Sequence, residues 1–147
     1  MSGNAGAVAF ALVAGVAGSI QVVVNATLGR RIGVVDAAAF GAIVAMLVLV
    51  PTSLALRSGD GVQAALREPP WLWIGGIMGA LIVTAIAYSP PRIGVFATIA
   101  IIVAGQLVTS ALIDAFGLMG VEKIPLNPAR VAGLVLLGAG ALLVLKR

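Results

Sequence analysis

The residues able to do chemistry in this chain fall on two short stretches. In "AGQLVTSALIDAFGLMG" (104–120), Gln106, Ser110 and Asp114 recur every four residues, with Thr109 beside them. In "SIQVVVNATLGRR" (19–31), Gln21 and Asn25 are also four apart. On a helix that spacing stacks side chains on one face, a turn from each other. Amides and hydroxyls donate and accept hydrogen bonds, and a carboxylate holds a proton, a cation or a basic partner. All are set among apolar residues, so in lipid their faces should point inward. Two such faces converging would line a polar cavity that hydrogen-bonds a small solute. Bonding each other across a helix interface is the other use, worth about 0.6 kcal/mol on average in bilayers. For Gln21, Asn25 and Gln106 both readings stand. Apart from Asp36 at the start of the second expected span, Asp114 is the one acidic residue inside an expected span, about a turn from its end. It is either an interfacial carboxylate paired with a basic residue such as Lys123, or a proton or cation coupling site.

Other chemistries are excluded by what is missing. The chain has no Cys and no His, which removes disulfides, thiolate metal sites, imidazole bases and serine–histidine triads. No HExxH, GxSxG, Walker A or dinucleotide fingerprint occurs. The expectation is no enzyme, no metal and no cofactor.

The elements that must position these residues follow from composition. Of 147 residues, 61% are hydrophobic and 10% charged, and the mean hydropathy is +1.18. That is the composition of an integral membrane protein. The net charge of +4 is spread singly or in pairs at helix ends, where lipid headgroups lie. Nucleic acid is not an expected partner, since no basic patch with interleaved aromatics occurs. A bilayer core takes about 20 helical residues, and the chain divides into five such runs: 4–28, 34–56, 71–89, 93–117 and 128–145. The expected fold is all-α, one five-helix transmembrane domain over 1–147. The apolar N-terminus is too long for a signal-peptide core, and its first cation, Arg30, follows it, so it reads as a retained span. The breaks, "GRRIGVVD", "RSGDGVQAALREPP", "SPPR" and "GVEKIPLNPAR", are too short for a soluble domain. "SPPRIG" reads as a tight hairpin, and Asn127 before Pro128 as a helix N-cap with proline at the first helical position. Small residues four apart, such as Ala11 with Gly15 or Gly75 with Gly79, suit close helix packing.

Orientation normally follows Lys and Arg asymmetry. The side reached after span one carries Arg30, Arg31, Arg92, Lys146 and Arg147, and the opposite side Arg57, Arg67, Lys123 and Arg130. Five against four sets no preference, so insertion in both orientations is expected. A fixed orientation set by Arg30 and Arg31 is the alternative. An odd number of spans inserted both ways yields two copies related by an axis in the membrane plane, an inverted-repeat arrangement. The expected assembly is a ten-span antiparallel homodimer.

Together, "QVVVNATLGRRIG", "PPWLWIGGIMGALIV", "PPRIGVFATIAIIVAGQLVTSALIDAFGLMG" and "RVAGLVLLGAGALLVL" resemble the YdcZ-like family, a five-span branch of the drug/metabolite transporter superfamily. The resemblance covers nearly the whole chain. It implies one half of a transporter, since superfamily members have either two inverted five-span repeats or shorter chains acting as dimers. It makes Gln21, Asn25, Gln106 and Ser110 candidates for substrate binding, and Asp114 a candidate for coupling or ion pairing. Small multidrug-resistance relatives use an acidic residue in their first span; span one here has none, so the same proton antiport does not carry over. The function expected is transport of small metabolites or drug-like solutes across the inner (plasma) membrane by alternating access. The partners are the bilayer, a small-molecule substrate and an inverted second copy. A non-transporting assembly subunit is the alternative.

Overall fold

The computed structural model describes residues 3–56 and 60–145. It is all-helical among the described residues, and five helices are long and apolar enough to cross a membrane: Ala5–Ile32, Val34–Leu56, Pro70–Ile93, Val95–Phe116 and Pro128–Leu145. With no water in the hydrocarbon, backbone groups must bond within their own segment, which a helix does. Three cations of the orientation count, Arg57, Lys146 and Arg147, lie outside the described residues.

The chain forms two compact units, Met1–Ser89 and Pro90–Arg147. The first contains α1 (Gly3–Ile32), α2 (Val34–Leu56), the short α3 (Asp60–Ala65), a 3-10 turn at Pro70–Trp73 and α4 (Ile74–Tyr88). Helices α1, α2 and α4 each pack on the other two. The α1 helix runs a turn beyond the expected boundary at Leu28, through "GRRI". Arg30 and Arg31 in its last turn favour that extension, because cations complement the negative C-terminal end of the helix dipole. The helix stops at Gly33, whose φ of 100° lies in the region open to glycine. Gly33 donates its N–H to the Gly29 carbonyl and accepts from Ala37, so one residue joins two spans. Where a plain loop was expected, α3 forms one and a half turns on an alanine-rich stretch. Trp73 then fastens the segment by donating its indole N–H to the Ala65 carbonyl at 3.2 Å.

The second unit holds α5 (Pro90–Ile93), α6 (Val95–Phe116), a 3-10 turn at Leu118–Gly120 and α7 (Pro128–Leu145), with α7 packed on α6. Pro90–Ile93 makes a single helical turn, and Gly94 at φ 89° separates it from α6.

The core of the first unit is mostly alanine, with Val22 and Ile86 buried beside it. Ala26, Ala37 and Ala87 are buried, and a Cβ on Gly29 would stand 3.3 Å from the Ala87 carbonyl oxygen. The expected small-residue pairs are not the ones in use. A Cβ on Gly15, Gly18, Gly75, Gly79 or Gly133 meets nothing within 4 Å. Four-residue spacing marks a stripe that permits close approach, while the contact forms only where a second helix arrives. Gly29→Val should therefore lower the thermal unfolding midpoint in detergent, a cost of about 1–3 kcal/mol for overpacking. Gly15→Ala should leave that midpoint unchanged.

Candidate functional site

Asn25 lies where the three helices of the first unit meet. It is 6% exposed, with Val22 and Ala26 buried beside it on α1. A Cβ on Gly41 of α2 would stand 3.4 Å from its Oδ1 and 4.0 Å from a methyl group of Val83 on α4. Glycine at 41 thus lets α2 pass over the amide. Among the described residues no group hydrogen-bonds the Asn25 side chain, yet no fully enclosed polar atom is left unsatisfied. Its amide therefore keeps access to the surface through the small part of the residue that stays uncovered. Gln21, one turn earlier, is exposed, so the two amides of α1 share a helix face but not an environment.

In the second unit, Gln106, Thr109 and Ser110 are exposed. Gln106 is the twelfth of the 22 residues of α6, at the middle of the span. The hydroxyls of Ser19, Thr27, Thr52, Thr84 and Thr98 each donate to the carbonyl four residues back, which satisfies them within their own helix. Ser110 forms no such bond and keeps its hydroxyl available.

Ser110 and Asp114 open onto a recess of about 390 Å³ between α6 and α7, also lined by Leu107, Leu134, Leu137 and Arg130. Gln106 does not line it. The Arg130 guanidinium stands 3.5 Å from the Asp114 carboxylate, the two side chains being 40% and 35% exposed. The position of Arg130 follows from the start of α7. Asn127 caps that helix, accepting the Arg130 backbone N–H on Oδ1 at 2.8 Å, with Pro128 in the first helical position. Asp114 also serves through its backbone: its carbonyl accepts from Gly117 at 3.4 Å and from Ile124 at 2.9 Å. The same residue thus ties the end of α6, the returning loop and, through Arg130, the start of α7. Gly117 (φ 63°), Met119 (φ 58°) and Gly120 (φ 81°) supply the left-handed backbone that turns the chain back. The sequence had placed Arg130 only among the loop cations. The signal for its role was its place three residues after the capping Asn127.

Among the described residues no group of three His, Cys, Asp or Glu side chains is placed to hold a metal. What the arrangement offers is hydrogen bonding and one ion pair, set in apolar walls.

Five bilayer-length helices define a multi-pass membrane protein. The chain belongs to the family described as "Putative inner membrane exporter, YdcZ", which it matches over residues 6–143. It is a multi-pass protein of the inner membrane and a membrane transporter, and exporters of this kind are not an enzyme class. A small-molecule substrate and the lipid bilayer are its partners on that basis. No curated protein and no solved structure matches the chain.

Two variants separate the parts of the α6–α7 joint. Asn127→Ala should destabilise the protein by about 1 kcal/mol through loss of the cap. Asp114→Asn should cost no more than about 1 kcal/mol, since the ion pair is partly exposed. Both read out as shifts of the thermal midpoint in the same detergent.

Proposed function

We propose that the protein exports small metabolites or drug-like solutes by alternating access, as an antiparallel homodimer with a polar cavity shared between inverted copies. The observation that supports this most is the exposure of Gln21 and Gln106, the latter at mid-span. An amide facing hydrocarbon without a hydrogen-bond partner costs several kcal/mol on water-to-alkane scales. Cover by a second protein surface or by water in a solute path removes that cost. The unfilled space over Gly15, Gly18, Gly75 and Gly79 leaves room for a close-packing partner helix.

In this reading Gln21, Asn25, Gln106 and Ser110 contact the solute. Asn25 offers an unengaged amide at the three-helix junction, and Ser110 an unengaged hydroxyl beside an apolar wall. Asp114 acts first as an ion-pair partner of Arg130. A coupling role would require that pair to open during the cycle. The near balance of basic residues between the two sides, five against four, supports insertion in both orientations, and inverted copies place equivalent residues on either side of one axis.

Two reporters fused after Arg147, one active only in the cytoplasm and one only outside, test the assembly. Comparable signal from both is expected, whereas signal from one alone would rule out the antiparallel homodimer. Vesicles holding a mixed panel of metabolites and drug-like solutes test the site. Asn25→Leu and Gln106→Leu should each reduce export at least tenfold while the dimer persists on cross-linking. Wild-type rates in both variants would remove these residues from the solute path.

A further inference from the structure

The first unit carries a second recess, a groove of about 420 Å³ lined by α1 and α2. Its floor is Val23, Val24 and Leu28 of α1, Phe40 of α2 forms a wall, and Arg31 stands at one end. Val24 and Phe40 are more than half exposed, at 57% and 53%. Thr27, also in the groove, spends its hydroxyl on the Val23 carbonyl at 2.8 Å, so the groove stays apolar up to the guanidinium. From Val23 to Arg31 is eight residues, roughly 12 Å of helix.

Among the described residues neither Arg31 nor its neighbour Arg30 has a carboxylate within salt-bridge distance. The chain has five acidic residues in all, and Asp114 is committed to Arg130. Arg31 sits in the last turn of α1, two residues before the Gly33 turn, where a span meets the headgroup layer. There the abundant counter-charge is a phosphate, and it comes attached to an acyl chain.

We propose that the α1–α2 groove binds one anionic phospholipid, its acyl chain along Val23, Val24, Leu28 and Phe40 and its phosphate on the Arg31 guanidinium. A planar guanidinium suits phosphate oxygens in paired hydrogen bonds. The groove supplies what bulk lipid does not, a shallow apolar recess with a cation on the same helix. A basic residue at an anionic lipid surface contributes about 1 kcal/mol, or about fivefold in affinity.

The test uses the full chain in phosphatidylcholine bilayers with a trace of spin-labelled phosphatidylglycerol or spin-labelled phosphatidylcholine, reading the immobilised fraction by electron paramagnetic resonance. The wild type should immobilise the anionic label preferentially. Arg31→Gln should lower that preference about fivefold and Arg31→Lys should retain most of it. Thr27→Trp, which fills the groove and keeps the charge, should lower it as Arg31→Gln does. Arg67→Gln, a cation outside the groove, should leave it unchanged. Equal immobilisation of the two labels by the wild type would overturn the proposal. So would an equal loss in Arg67→Gln, which marks diffuse attraction, or displacement of the label by soluble glycerol phosphate, which marks a headgroup site without a chain. Disulfide cross-linking of Val24→Cys between copies, with no immobilised anionic label, would assign the groove to a second copy instead.

Discussion

Everything in this molecule depends on the absence of hydrogen-bonding solvent around its spans. Helices absorb the backbone demand, and five hydroxyls are absorbed the same way, each returned to a carbonyl one turn back. Among the described residues, the groups not absorbed include the amides of Gln21, Asn25 and Gln106 and the hydroxyls of Ser53, Thr109 and Ser110. In water such groups would be ordinary surface. In a bilayer they are costly, and they are the basis on which we propose particular residues for the family's export function.

The two units meet that demand differently. In the first, α1, α2 and α4 close around Asn25 with alanine and glycine, and the amide is nearly sealed. In the second, α6 and α7 meet without a third helix of their own unit, and their polar groups stay half open, held by the Asp114–Arg130 pair. A pair this exposed fixes geometry more than it adds stability. Its larger structural value lies in its position, since Asp114 also anchors the returning loop through its carbonyl.

The five spans were legible in the sequence because hydropathy over 20 residues leaves little choice, and the cap at Asn127 was legible from the Asn-Pro pair. Less legible was the end of α1. "GRRI" carries two cations, which suggest a loop by composition, yet cations at a helix C-terminus favour one more turn. Four-residue spacing linked Gln21 to Asn25 correctly as a face. But four residues advance about 40° beyond a full turn, and cover by α2 and α4 reaches Asn25 without reaching Gln21. Helix period cannot say how wide the covered arc is. Arg130 was missed as the partner of Asp114 because Lys123 is nearer in sequence, whereas the loop between them folds back on left-handed residues that bring the start of α7 to the carboxylate.

The Gly33 joint has a further consequence, for how the chain enters the membrane. A connection of one residue gives α1 and α2 no tether on which to be delivered separately. They must leave the insertion machinery as a helical hairpin, its closed end carrying Arg30 and Arg31. Whichever face of the membrane that closed end reaches, both helices are committed in the same event, and the cations that follow act on a hairpin rather than on a single span.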